Sequence, residues 1–369
     1  MSDDPFRFCD DLGPAKVVHL SERTTGLRAT VVIDNVAAGQ AIGGVRMAPD
    51  VTTEECFALA RAMTLKNAAA GLRHGGGKSV IAADPAMPLA DKGRLMRAFA
   101  RAIADLTEYA PGPDMGTNEQ CMAWVHDEIG RAVGLPAELG GIPLDRVGAT
   151  GYGLAVAVEV AADRLGLDLR GARVVVQGFG AVGVHAARFL AERGCILVAA
   201  ADSRGAVAAP DGIDVDELLA TKQATGTVAG HAGGERLTAE DLVGVESEIW
   251  IPAARPDVLR ADNVTRLRTR IVAQGANIPA TEEAEAWMHA NGVLNLPDFI
   301  ANAGGVICGA VEYAGGTQAD AFAAIDAKIR ANTASVLADA MARREPPRAV
   351  ALAMAGARVR AMMSYRRFR

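Results

Sequence analysis

The stretch Val174-Val175-Val176-Gln177-Gly178-Phe179-Gly180-Ala181-Val182-Gly183 decides the fold class. A β-branched apolar run enters a G-x-G-x-x-G turn, and a helical pattern over Val182–Arg193 leaves it. Each glycine has its own mechanical reason. The first permits a tight turn, the second lets the backbone approach a pyrophosphate, and the third lets the helix pack closely on the strand. The helix start then offers N–H groups to the phosphates. The next strand, Cys195–Ala201, runs into Asp202, a carboxylate placed for the hydroxyls of an adenosine ribose. The pattern predicts a dinucleotide held by Gly178, Phe179, Gly180, Ala181, Val182, Gly183 and Asp202. Asp202 repels a 2′-phosphate and so favours NAD, whereas Ser203 and Arg204 can receive that phosphate and keep NADP open.

Working outward, strand-like runs continue at Glu248–Ile251, Arg270–Ala273 and Gly292–Leu296, and a helix over Tyr152–Leu165 precedes the glycine turn. Strands alternating with helices indicate a parallel sheet covered by helices. Upstream, Lys16–Leu20 and Leu27–Asn35 read as strands, the second through Thr30-Val31-Val32-Ile33. Thr52-x-x-Glu55 is a capping box that opens a helix ending at Gly71. A strand at Ser79–Ala83 and helices over Leu89–Leu106 and Asn118–Ala132 follow. The segment Gly134–Gly148, with Pro136, Gly140-Gly141 and Pro143, reads as a hinge. The fold class is therefore α/β with two domains, split into residues 1–145 and 146–317. Helices over 318–369, broken at Glu345-Pro346-Pro347, are expected to pack back on the first domain.

Composition excludes several classes. With 38 Lys+Arg against 44 Asp+Glu, the net charge of −6 gives no basic face for nucleic acid. The basic cluster Arg366-Arg367-Phe368-Arg369 is too short to build on. Cys9, Cys56, Cys121, Cys195 and Cys308 are scattered and never form a C-x-x-C pair, which argues against disulfides and zinc and for a reducing cytoplasm. The N-terminus lacks the apolar stretch of a secretory signal, and no apolar run reaches the roughly 18 residues of a membrane span.

Chemistry is suggested by three residues of the first domain. Lys66 closes the first helix, and Lys78 follows Gly75-Gly76-Gly77. Those glycines let the backbone approach a ligand and let the ammonium point inward. Two inward lysines depress each other's pKa, which suits one of them to act as a base near neutral pH. Asp114 sits in the Pro111–Gly116 loop, at the end of an expected strand. Each has an ordinary alternative: most lysines are merely solvated, and an Asp in a Pro/Gly loop usually serves the turn.

Taken together and in this order, the segments resemble the glutamate/leucine/phenylalanine/valine dehydrogenase family. The matching stretches are Gly43–Arg46 (GGVR), Met63–Lys78 (MTLKNAAAGLRHGGGK), Gly112–Thr117 (GPDMGT), Ala149–Gly153 (ATGYG), the glycine turn, Gln274–Pro279 (QGANIP) and Pro297–Val306 (PDFIANAGGV). The resemblance implies an N-terminal α/β substrate and oligomerisation domain and a Rossmann-type dinucleotide-binding domain, with the active site in the cleft between them, in a homo-oligomer. It implies that Lys66 grips a substrate carboxylate, that Lys78 activates water and that Asp114 moves protons to and from the nitrogen. Thr150, Ala253, Asn277 and Asn302 would hold the cofactor, with Asn302 also near the substrate. The implied reaction is NAD(P)-dependent oxidative deamination of an L-amino acid to a 2-oxo acid and ammonia. It needs no metal, because two ammoniums stabilise the developing negative charge.

The side-chain pocket is the remaining variable. Glutamate-specific members carry lysine immediately before the Gly-Gly pair and serine three residues after the motif valine. Here Ile42 precedes Gly43-Gly44, and Gly309 stands three residues after Val306. A γ-carboxylate buried there without a charge partner costs several kcal/mol. The expectation is an apolar substrate of the leucine, valine or phenylalanine type. Glutamate dehydrogenase is the alternative, because Ala149–Gly153, Asp202–Gly205 and Gln274–Pro279 look more like the glutamate enzymes. A non-catalytic nucleotide-binding relative is a further alternative, disfavoured by Lys66, Lys78 and Asp114 occurring together.

Overall fold

The computed structural model describes Asp4 and residues 6–366. Arg367, Phe368 and Arg369 of the basic terminal cluster lie outside the described residues. The chain forms two compact units, Met1–Pro143 with Val306–Ala321 and Leu352–Arg369, and Leu144–Gly305 with Phe322–Ala351. The break at Pro143 falls inside the expected hinge. The C-terminal boundaries differ from expectation: 306–317 groups with the first unit, and 322–351 with the second. No helix of the described residues is long and apolar enough to cross a membrane.

The first unit is built on a five-stranded sheet of β1 (Lys16–Glu22), β2 (Leu27–Asn35), β3 (Ala41–Ala48), β4 (Gly75–Ala82) and β5 (Tyr109–Pro113), in the order β1-β2-β4-β3-β5. β1–β2 and β2–β4 pair antiparallel, whereas β3 runs parallel to both β4 and β5. Helix α1 (Thr53–Ala69) starts where the capping box predicts, with the Thr52 hydroxyl accepting from the Glu55 N–H at 3.1 Å. Helices α2 (Leu89–Ala102) and α3 (Glu119–Ile129) complete the layer, and Asn118 caps α3. Their apolar faces supply Met96, Phe99, Met122 and Val125 to a core shared with Val31, Ile33, Met47 and Ile81.

Two differences from the sequence reading matter here. Residues 41–48, not anticipated as a strand, form β3 and carry Ile42, Gly43 and Gly44. The strand expected over Ser79–Ala83 runs instead over Gly75–Ala82 as β4, taking in Gly75–Gly77, all three buried. Their smallness serves packing. A Cβ on Gly76 would sit 2.1 Å from the Thr64 backbone nitrogen, and one on Gly77 would sit 2.9 Å from the Tyr109 ring.

The second unit opens with α4 (Leu144–Val147) and α5 (Ala149–Leu165). Its sheet has seven strands: β6 (Arg173–Gln177), β7 (Ile196–Asp202), β8 (Gly205–Ala208), β9 (Glu235–Leu237), β10 (Ile249–Pro252), β11 (Ile271–Ala273) and β12 (Leu294–Leu296). The order is β12-β11-β10-β6-β7-β8-β9, parallel from β12 through β7. β8 and β9 add an antiparallel edge that the sequence reading did not foresee. The covering helices include α6 (Ala181–Ala191), α7 (Val215–Thr225), α8 (Glu282–Ala290) and α9 (Asp298–Ala301). Helix α10 (Gly304–Tyr313) follows, then α11 (Gln318–Arg343) and α12 (Pro347–Ser364), with the Glu345–Pro346 break between the last two. Strand order reverses between β6 and β10, and a doubly wound sheet binds its ligand at the carboxyl end of such a switch point.

Candidate active site

In the first unit, Asp114 follows directly on β5, and Lys78 lies on β4. The Lys78 Nζ is 2.7 Å from Asp114 Oδ2, and Arg46 Nε donates to the same oxygen at 3.0 Å. Arg46 reaches in turn to Glu55 on α1 at 2.6 Å. Lys78 is only 6% exposed, so its ammonium is withdrawn from bulk water and compensated by the carboxylate. Burial alone would raise the Asp114 pKa. The Lys78 and Arg46 charges outweigh it and hold the carboxyl below the ordinary carboxylate range, so Asp114 rests as an anion able to take a proton. The turn after it is pinned to β3 by Thr117, whose hydroxyl donates to the Val45 carbonyl at 2.8 Å.

Gly44 explains why this corner tolerates no side chain. A Cβ there would lie 2.7 Å from the Asp114 Cβ and 3.1 Å from the Lys78 Nζ. Gly43 is equally constrained, with the Gly77 carbonyl oxygen 1.6 Å from where its Cβ would be. Lys66 sits half-buried in the last turn of α1, the helix that packs on β4. The C-terminal carbonyls of that helix receive Arg358, which donates to the Ala69 oxygen at 2.7 Å. Arg46 and Glu55 were not assigned roles from the sequence, although both lie in segments already singled out, the GGVR stretch and the capping box.

Ile42 is 8% exposed and clusters with Ala110, Val133 and the partly buried Tyr313. Val306 and Gly309 belong to the first unit on α10. A Cβ on Gly309 would meet only Val133, at 3.9 Å, so a small side chain fits there. Cys308 is buried, and burial pushes its thiol up to about 12, which leaves it protonated and unsuited to nucleophilic attack.

In the second unit, the glycine turn is packed so tightly that Gly178 and Gly183 admit no side chain. Gly178 has φ 102°, and its Cβ position is filled by the backbone at Ala253 and Ala254. A Cβ on Gly183 would lie 1.9 Å from the Gly178 oxygen, so close helix–strand packing requires glycine there. Gly180 and Ala181 are exposed, Gly180 caps α6, and no side chain occupies that cap. The α6 terminus thus presents its N–H groups outward. Phe179 is buried, and its carbonyl accepts from Lys222 at 2.6 Å.

Asp202 is engaged within the protein. Its carboxylate accepts from the Arg204 N–H at 2.9 Å, the Thr227 hydroxyl at 3.0 Å and the Val228 N–H at 2.8 Å, and its side chain is 6% exposed. Burial pushes its pKa up, but these donors and Lys222 bring it below the usual range. Ser203 and Arg204 are exposed beside it. At the carboxyl end of β11, Asn302 donates to the Gly275 oxygen at 3.2 Å and to the Asn277 Oδ1 at 3.1 Å. Thr150 is in the first turn of α5, against Gly304 and Gly305.

The sequence model of Glutamate/Leucine/Phenylalanine/Valine dehydrogenase matches residues 140–367, and that of the Glu/Leu/Phe/Val dehydrogenase dimerisation domain matches residues 15–131. Among curated relatives, a glutamate dehydrogenase of Aeropyrum pernix is 39% identical over 82% of this chain and 77% of its own. An NADP-specific glutamate dehydrogenase of Saccharolobus shibatae is 38% identical over 76% of this chain and 69% of its own. An NAD-specific glutamate dehydrogenase of Staphylococcus aureus is 38% identical over 80% and 73%. Among solved structures, the hetero-hexameric glutamate dehydrogenase of Thermus thermophilus in its Leu-bound form superposes with a TM-score of 0.86. It is 32% identical and covers 96% of this chain and 91% of that one.

Proposed function

The chain belongs to the glutamate/leucine/phenylalanine/valine dehydrogenase family and is an amino-acid dehydrogenase acting on CH–NH2 donors, and from that premise we propose how its residues carry out the reaction. NAD or NADP, when bound, accepts the hydride from the substrate Cα. The open α6 terminus and the glycine turn fit its pyrophosphate, while Thr150, Ala253, Asn277 and Asn302 are the candidates for its nicotinamide half. Lys66 holds the substrate carboxylate. Asp114 takes the proton from the substrate nitrogen and releases it to solvent; Lys78 then passes its own proton to Asp114 and, as the neutral amine, orients and deprotonates the water that hydrolyses the iminium. The observation that carries this reading is the contact of buried Lys78 with partly buried Asp114 at 2.7 Å, a proton donor and acceptor already paired.

L-Glutamate is the substrate favoured by the relatives' names. A second reading, an apolar L-amino acid, is supported by the apolar cluster of Ile42, Ala110, Val133 and Tyr313. Initial rates with glutamate, leucine, valine and phenylalanine, each with NAD and NADP, decide between them. The dimerisation-domain match supports assembly as a homo-oligomer. A cytoplasmic location rests on the cysteine pattern of the sequence.

A further inference from the structure

Around Gln274, where β11 ends, the second unit holds a buried polar network that the reaction described above does not use. Arg348, in the first turn of α12, places Nε 2.8 Å from both carboxylate oxygens of Glu285. Its NH2 donates to the Gln274 Oε1 at 2.7 Å and pairs with Asp298 Oδ1 at 2.9 Å. Glu285 and Asp298 are 7% and 5% exposed and Gln274 is fully buried, so one guanidinium compensates two desolvated carboxylates. Asp298 then uses Oδ2 to accept the Ile278 N–H at 2.9 Å. Ile278 has φ 48°, a left-handed conformation that a β-branched residue adopts only where its surroundings impose it.

The network therefore fixes the loop 275–278 from below, while Asn302 fixes it from the other side through Gly275 and Asn277. In a doubly wound sheet, the glycine turn after β6 and the acid after β7 lie on the adenosine side of the switch point. Loops after β10 and β11 lie on the opposite side, which receives the other half of a dinucleotide. We propose that Arg348 is a positioning residue for the nicotinamide half of the cofactor site, acting through Glu285, Gln274 and Asp298 on the strained 275–278 loop. The proposal rests on the dinucleotide reading of this unit.

Calorimetric titration with NADH and with ADP-ribose, which lacks only the nicotinamide, tests it. Arg348→Met should weaken NADH binding about tenfold or more and leave ADP-ribose binding within about twofold. Arg348→Lys keeps the charge but cannot reach both carboxylates, so its NADH loss should be intermediate, about threefold. It also serves if the methionine variant fails to fold. An equal loss of both ligands, or no loss of NADH affinity, overturns the proposal. Wild-type protein that binds neither ligand overturns the dinucleotide reading, and the proposal with it.

Discussion

Buried Lys78 on β4 and partly buried Asp114 just after β5 form an ion pair across the intervening strand β3, Nζ to Oδ2 at 2.7 Å, and Gly44 of β3 lies against both. A lysine on a central strand is an expensive choice for stability alone, because a hydrophobic residue there would avoid the desolvation cost. Retaining it is understandable where an amine must exchange protons with a substrate out of bulk water.

Lys78→Ala should abolish turnover while leaving NADH affinity unchanged, since the glycine turn and the loop after β11 are untouched. Lys66→Ala should instead raise KM for the amino acid, through loss of a charge-assisted contact worth about 1.5–3 kcal/mol. Steady-state kinetics with a parallel NADH titration separate the two.

Gly44→Ala should behave like a loss of the pair without removing either member. Its methyl would have to displace the Asp114 Cβ or the Lys78 Nζ, at 2.7 and 3.1 Å. Turnover should fall by about a hundredfold or more, because misplacing catalytic groups by a fraction of an ångström is that costly. Activity near wild type would mean the corner is not where chemistry happens.

Asp114 also makes a pH prediction. Its folded-state pKa is lowered below 3.8, despite burial, by Lys78 and Arg46. Its charged form therefore stabilises the fold above the unfolded-state value, and that contribution is lost as pH falls through the lower folded-state value. Asp114→Asn should cost about 3 kcal/mol near neutral pH, where it strands the buried Lys78 ammonium and leaves Arg46 with Glu55 alone. The gap to wild type should shrink in acid. Urea midpoints measured at several pH values check the sign.

Much of this was legible in the sequence, for identifiable reasons. Leu27–Asn35 matches β2 residue for residue and the Val174–Val176 run lies within β6, because β-branched runs bounded by turn residues leave little choice. Thr52 announced its helix by capping chemistry. β3 was missed because Ala41-Ile42-Gly43-Gly44 has no period-two pattern: buried on both faces, it needs no polar side. Gly75–Gly77 fell outside the strand expected from Ser79 because the partners that forbid a Cβ, Asn35, Thr64 and Tyr109, are distant in sequence. The same holds for Asp202, whose internal donors Thr227 and Val228 lie about one helix further along the chain.

That internal role changes what an Asp202 substitution should do. On the proposed ribose contact, Asp202→Ala removes a charge that repels a 2′-phosphate, so use of NADP relative to NAD should rise. It also strips partners from Thr227 and Val228, so unfolding free energy should drop by about 1–3 kcal/mol. Cofactor kinetics and urea unfolding of the same variant read both effects.

Ile42→Lys combined with Gly309→Ser should swing selectivity toward glutamate from two directions. The ammonium and hydroxyl attract a γ-carboxylate, and the same ammonium is left unpaired beside an apolar side chain. The space beside Val133 accepts the serine. The ratio of kcat/KM for glutamate to that for leucine is the quantity to compare with wild type.

The most direct test of the account is the rate of cofactor reduction by wild type and Lys78→Ala, with each common L-amino acid and either NAD or NADP. The account predicts that wild type reduces the cofactor with at least one amino acid while releasing ammonia and the matching 2-oxo acid, and that Lys78→Ala does so with none. Lys78→Ala retaining most of the wild-type kcat would contradict it.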